Sequence, residues 1–269
     1  MKANLIKGYD ENGFIHLKKV FSDGFCDLMI EKIENHLEPK VFIPFTKIPW
    51  GFGQLFGIEP FNKVIENQDI INVCTEIFQN DNYSYNHLLV SNKAPFLGPE
   101  EMYHQEVSNI DTYAPGCDPI KDWKNFVQIF IPIDDQSLDN GCLRVIPGSH
   151  NLGLLDHEDI VWNNHGHKRR LTNESMIKAY NEFGIVNFEL SRGDVLIFNH
   201  LLIHGSNSNQ SPKNRRSIIC QAQNTKIEKD MNVFNKEIIY RSNYIIKTYE
   251  EKIKSVQENN IYKDFLNNK

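Results

Sequence analysis

The chain has 269 residues, 40% hydrophobic and 24% charged, the composition of an ordinary globular protein with material for one large core or two small ones. Its formal net charge of −6 argues against a nucleic-acid surface and gives no reason to expect attraction to anionic membranes. Five scattered cysteines without CxxC spacing exclude a zinc ribbon or disulfide framework, and no apolar run reaches secretory or spanning length, so the expectation is a soluble, cytoplasmic protein without a membrane partner.

In chain order, Gly13-Phe14-Ile15-His16-Leu17 reads as a short strand. Ser22 then precedes an apolar series at steps of three and four (Phe25, Cys26, Met29, Ile30, Ile33, Leu37) that predicts an amphipathic helix ending near Pro39. His16 and His36 read as partly exposed packing residues. The stretch from Phe42 to Phe61 carries Phe45, Trp50, Phe52 and Phe56 among glycines and prolines. Such a loop either seals the edge of the core or forms a lid or substrate wall. Residues 62–80 return to helical spacing.

From Tyr83 the pattern becomes strand-like. Tyr83 to Val90, Phe126 to Ile133, Cys142 to Ile146, Val186 to Leu190, Val195 to Phe198 and Ser217 to Ala222 are short apolar or alternating runs. They are separated by turn residues such as Asp139-Asn140-Gly141 and Arg192-Gly193-Asp194. Many short strands of this kind imply a closed or double-sheet β structure. The excursion holding His157, His165, His167, Lys168, Arg169 and Arg170 reads as polar surface, and Tyr244 to Leu266 as a helix with a solvated Lys/Glu face. The expectation for residues 1–269 is one domain: helical support over about 1–80, a β core over about 81–225 and a helix over about 240–266.

One constellation carries chemistry. His104 and Glu106 sit two apart, so on an extended segment both side chains project to one face while Gln105 points away. With His204 they make a 2-His-1-carboxylate set, whose three ligands on one face of Fe(II) leave positions open for a cosubstrate and O₂. His200, four residues earlier, competes with His204 for the second histidine role.

Four stretches give the sequence a specific likeness. They are Gly13-Phe14-Ile15 with Val20-Phe21-Ser22; His104-Gln105-Glu106; Asp139-Asn140-Gly141-Cys142-Leu143-Arg144-Val145-Ile146-Pro147-Gly148-Ser149-His150; and Gly193-Asp194-Val195-Leu196-Ile197-Phe198 running to His204-Gly205-Ser206, Asn209, Ser211 and Arg215. Together they resemble the phytanoyl-CoA dioxygenase (PhyH-like) family of Fe(II)/2-oxoglutarate oxygenases. The resemblance implies a mainly β protein with flanking helices, built on a double-stranded β-helix (jelly-roll, cupin-like) core. It favours His204 over His200, because the Gly-Asp…His-Gly-Ser pattern falls there.

It also makes Arg215, eleven residues after His204, the residue that grips the far carboxylate of 2-oxoglutarate through its planar fork. Arg216 faces the other way, and Ser217 shares the face of Arg215. Gln128 either faces the pocket or serves as a structural amide, while Arg144 and His150 brace the fold. The family usually has Asp where Glu106 stands, and related halogenases need a small residue there, so halogenation is not expected. The implied activity is hydroxylation of an unactivated C–H of a small, polar metabolite, with Fe(II) as cofactor and 2-oxoglutarate and O₂ as cosubstrates. A jelly-roll binding protein without turnover is the alternative. Substrate identity and oligomeric state are not readable.

Overall fold

The computed structural model describes residues 2–36, 55, 57–79, 81, 83–106, 126–159 and 169–224. Five helices lie within them: α1 (Lys2–Asn12), α2 (Asp23–His36), α3 (Asn62–Ile65), α4 (Gln68–Phe78) and α5 (Asn173–Phe183). The strands are β1 (Phe14–Leu17), β2 (Tyr83–Lys93), β3 (Glu101–His104), β4 (Phe126–Pro132), β5 (Leu143–Val145), β6 (His157–Asp159), β7 (Arg169–Leu171), β8 (Val186–Phe188), β9 (Val195–Asn199), β10 (His204–Ser206) and β11 (Arg215–Asn224). No helix among the described residues is long and apolar enough to cross a membrane.

Two antiparallel sheets form the core, one of five strands in the order β1-β9-β4-β11-β2 and one of four in the order β3-β10-β5-β8. A two-stranded ribbon, β6-β7, is paired separately and packs against the β3 end of the smaller sheet. Strand parity sorts the five-stranded sheet into two faces. Val127, Ile129, Ile131, Val195, Ile197, Ile218 and Cys220 turn outward and join Cys26, Met29, Ile33, Ile70 and Cys74 from α2 and α4 in one core. Phe130, Leu196 and Phe198 turn inward and meet Leu143 and Val145 of the smaller sheet, with Ile219 packed against them. Both faces are covered, which is why all seven residues of β4 are buried. This is the expected jelly roll, with helices on the outside of one sheet.

Local corrections have local causes. The helical run over residues 62–80 breaks in two because Asn67 takes an extended conformation and its side chain accepts from the Asp69 and Ile70 amides, capping a new helix. Residues 173–183, read as part of a polar excursion, form α5, whose N-cap Thr172 accepts from the Ser175 amide. Its half-buried Met176 and Phe183 and buried Ala179 pack on Ile146, Leu171 and Ile203, but Ile177 and Tyr180 are exposed, so the apolar contrast is weak. α1 was not expected either, since Tyr9 is its one fully buried apolar residue among those whose side chains are described. The aromatic residues Phe45, Trp50, Phe52 and Phe56, the helix expected over 240–266, and His165, His167 and Lys168 lie outside the described residues.

The Asn-Gly and Pro-Gly-Ser-His signatures are braces. Asn140 closes its turn by accepting from the Ser137 amide and donating to Asp135 O. Gly141 has φ +80°, and a Cβ there would lie 2.4 Å from Asn207 O. Ser149 Oγ accepts from the Ile203 amide beside His204, and His150 Nε2 bonds to Asp10 O on α1. Gly193, at φ +81°, would place a Cβ 2.1 Å from Phe21 O. Its neighbour Asp194 accepts from the Lys19 amide and pairs with His16 Nε2 at 2.9 Å. These contacts hold the N-terminal segment on β9, which runs toward the loop before His204.

Candidate metal centre

The two histidines of the sequence-derived set are cross-strand partners: His104 of β3 lies opposite His204 of β10, with ring centroids 4.3 Å apart. Glu106 follows β3 directly, and its backbone amide donates to His200 O at 2.9 Å, turning its side chain back toward the pair. Glu106 Oε1 lies 3.3 Å from His204 Nε2 and 3.8 Å from His104 Nε2. One ligand atom from each residue falls within 4.8 Å of the others, a spacing that can hold a metal ion.

The backbone fixes which nitrogen each ring presents. His104 Nδ1 lies 2.7 Å from Met102 O and His204 Nδ1 2.9 Å from Leu202 O. A carbonyl only accepts, so each Nδ1 carries the hydrogen and each Nε2 lone pair faces Glu106. Burial lowers the basicity of His104, but the adjacent Glu106 carboxylate outweighs it and leaves the pKa raised. The trio therefore favours a positive charge at its centre. Two neutral imidazoles and one carboxylate suit a first-row divalent metal, with the facial arrangement used by non-haem Fe(II).

His200 does not join the set. It stacks on Phe126 at 5.1 Å, and its Nε2 lies 3.4 Å from Gln221 Nε2. Gln128 does come to the centre: its Nε2 donates to Glu106 Oε1 at 3.3 Å. Gln105 points away, as expected of the middle residue, yet it is fully buried. Its Nε2 donates to Gly153 O and Leu201 O, and its Oε1 accepts from the Leu155 amide. The Gln105 amide itself donates to His157 Nε2. His157 was read as surface, but it is half buried, and burial pushes its pKa down to about 4.

The two arginines of β11 divide as their parity requires. Arg216 turns outward and forms a two-pronged pair with Asp134, Nε to Oδ2 and Nη2 to Oδ1 both at 2.7 Å, and meets Glu34 of α2 at 2.5 Å. Arg215 turns inward, 3% exposed, with its guanidinium 5.1 Å from the centroid of the Phe130 ring and no hydrogen bond at Nε. Burial, with no acid among the described residues bonded to it, outweighs the pull of Cys142, Glu101 and Asp134 and lowers its pKa from 12.5 to about 10. Opposite it on β2 is Lys93, buried, whose Nζ donates to Pro99 O and Asn207 O. Ser217 shares the inward face and accepts from Gln136 Nε2 at 2.8 Å, leaving its own hydroxyl hydrogen to donate elsewhere. A buried cation of this kind calls for an anion. Lys93 and Gln136 escaped the sequence reading because neither belongs to a motif; only the β2–β11 register brings Lys93 opposite Arg215.

Comparison with known proteins bears on the family and the fold. The profile of the phytanoyl-CoA dioxygenase (PhyH) family matches residues 9–217. The peroxisomal phytanoyl-CoA dioxygenase of Bos taurus is 26% identical over 243 residues, covering 80% of this chain and 66% of its own length. The Homo sapiens protein is 26% identical over 237 residues with the same coverage, so this chain spans just under two thirds of these relatives. Among solved structures, EctD from S. alaskensis with 2-oxoglutarate and 5-hydroxyectoine superposes with a TM-score of 0.68 at 18% identity, covering 86% of this chain and 78% of that one. The epimerase SnoN, in complex with Fe3+, alpha ketoglutarate and nogalamycin RO, gives 0.63 at 14% identity, covering 83% of each. Those two likenesses establish the fold. Taken with the profile match across most of its length, they leave the chain a member of the phytanoyl-CoA dioxygenase (PhyH) family.

Proposed function

We propose that the protein is an Fe(II)- and 2-oxoglutarate-dependent dioxygenase that hydroxylates an unactivated C–H of a small, polar metabolite. The observation that carries this reading is the His104–Glu106–His204 triad, its two histidines buried and both Nε2 atoms turned to one carboxylate, with the buried Arg215 on the inward face of the other sheet. His104, Glu106 and His204 would hold the iron, and Arg215 with Ser217 would hold the distal carboxylate of 2-oxoglutarate. With both bound, the metal and cosubstrate supply the oxidising power, consuming O₂ and releasing succinate and CO₂. The chain itself contributes placement. Arg215 offers a fork matched to a carboxylate, Ser217 a second donor, and the inward Phe130, Leu196 and Phe198 keep water from the space between the sheets. With iron bound, Glu106 would take the coordination position a halide would need, which favours oxygen insertion over halogenation.

A polar substrate is supported by the inward amides Gln128, Gln221 and Gln223 on β4 and β11, all buried, with His200 beside Gln221. An apolar acyl chain would find few partners there. The free thiols of Cys26, Cys74, Cys142 and Cys220 support a reducing compartment such as the cytoplasm. The test is anaerobic Fe(II) titration followed by succinate release in air, for wild type, His204→Ala and His200→Ala. Wild type and His200→Ala are expected to bind iron and His204→Ala to lose it. Full iron occupancy in His204→Ala would overturn the ligand assignment. Iron and 2-oxoglutarate uptake without succinate release across a panel of amino acids, polyols and acyl thioesters would instead indicate a binding protein.

A further inference from the structure

The structure assigns Gln128 a role of its own: we infer that it is a positioning residue that holds the Glu106 carboxylate at the metal. This deepens the proposed function and rests on it. Gln128 lies on β4 opposite Phe198 on one side and Gln221 on the other, so its side chain points between the sheets. Its Nε2 donates to Glu106 Oε1 at 3.3 Å, the same oxygen that faces both histidines. The direction is fixed by chemistry, since a carboxylate oxygen can only accept.

Among the described residues, no backbone group calls for an amide at this position. Gln105, a structural amide, bonds through both Nε2 and Oε1 to backbone groups on two segments, at Gly153 and Leu155 and at Leu201. Among the described residues Gln128 Oε1 has no partner, and the bond to Glu106 is the hydrogen bond its side chain makes. The need follows from the length of Glu106. One methylene more than aspartate adds about 1.5 Å of reach and one more rotatable bond. A carboxylate on that longer arm must be oriented from outside, and an N–H aimed at the ligating oxygen both orients it and fixes which oxygen faces the metal.

The test is the Fe(II) dissociation constant, measured anaerobically and repeated with Co(II), for wild type, Gln128→Met, Glu106→Asp and the double variant. Methionine keeps the volume and flexibility of glutamine without the donor, and thermal midpoints confirm that each variant folds. Gln128→Met is expected to weaken metal binding by about 10- to 100-fold, the range for losing such an outer partner. In the Glu106→Asp background the shorter carboxylate has withdrawn from Gln128, so Gln128→Met is expected to change affinity less than about twofold, a clear departure from additivity. Equal losses in both backgrounds, or an unchanged constant in Gln128→Met, would overturn the inference and leave the metal site standing. A wild-type protein that binds neither metal would overturn the proposed function, and this inference with it.

Discussion

Arg215 and Arg216 are adjacent and chemically identical, yet their replacement by methionine should move stability in opposite directions. Arg215 is buried without an acidic partner, and burial lowers its pKa from 12.5 to about 10. Holding its proton in the folded chain therefore costs on the order of 3 kcal/mol. That cost is fully present at every pH below the folded value and disappears only as pH rises from about 10 toward 12.5. Arg215→Met should thus raise the stability of the ligand-free protein by about 1–3 kcal/mol, or roughly 2–4 °C of melting temperature per kcal/mol. The same change should weaken 2-oxoglutarate by about 30-fold or more, since truncating a charge pair of this kind costs roughly 2–5 kcal/mol. Arg216→Met instead strips Asp134 of its two-pronged partner and frees Glu34. Because the Glu34 side chain is 44% exposed, its share is discounted, leaving a loss of about 2–3 kcal/mol. The assay is thermal unfolding with and without 2-oxoglutarate and Fe(II). At a hundredfold excess over its dissociation constant the ligand should stabilise wild type and Arg216→Met by about 2.7 kcal/mol, and Arg215→Met hardly at all. Retained ligand stabilisation in Arg215→Met, with its loss in Arg216→Met, would show that the facing of β11 is wrong by one residue.

Other perturbations separate the remaining parts of the argument. Glu106→Asp should keep partial iron binding and hydroxylation, whereas Glu106→Ala should lose hydroxylation and weaken iron; neither wild type nor Glu106→Asp should incorporate chloride at any concentration, as product mass spectrometry would reveal. Gly193→Ala sets a Cβ at φ +81° and 2.1 Å from Phe21 O, so denaturant unfolding should report a loss of about 2 kcal/mol or more; unchanged stability would mean that this turn does not clamp the N-terminal segment. His157 is neutral in the fold, its pKa depressed by burial from 6.5 to about 4. The unfolded chain takes up that proton first, so stability should fall as pH drops from about 6.5 to about 4. His157→Gln keeps an acceptor for the Gln105 amide without titrating, and equilibrium unfolding of it over this window should show a flatter pH dependence; an identical slope would remove His157 as the cause.

Much of this was legible in the residues, and the exceptions have physical reasons. The strands announced themselves because both faces of the larger sheet are covered, giving runs such as Phe126 to Pro132 that are apolar almost throughout. The His-x-Glu pair and the distant His204 were readable from type and spacing; that they are cross-strand neighbours was not, because register is a tertiary fact. The partner of Gln128 was hidden for the same reason. Its neighbours across the sheet come from residues 198 and 221, and its bond goes to residue 106. His157 was misjudged because a polar ribbon between charged residues resembles open surface, whereas its ring folds back under Gln105. α5 was obscured by Ile177 and Tyr180, which break the contrast between a wet and a dry face.

Under the proposed function, the parity of β11 is how the fold would reserve a charge for a ligand without a dedicated element. Residue type cannot tell Arg215 from Arg216; their surroundings can. On the outer face Asp134 and Glu34 reach Arg216 from two different elements, satisfying it with hydrogen bonds and anchoring α2 to the sheet. On the inner face no carboxylate among the described residues bonds to Arg215. The groups around it include the Phe130 ring, the Cys142 thiol and Lys93 opposite, whose amine is occupied by backbone carbonyls. An acid placed there would bring the stability that Arg216 enjoys and would fill the fork. Without one, the desolvation of this cation is offset little by the chain, so under the proposed function part of the binding energy of a dicarboxylate would come from relieving a cost the fold already carries. The same separation explains why the two neighbours can be nearly equally buried and yet serve different ends. One is satisfied by the chain, and the other is kept in deficit by it.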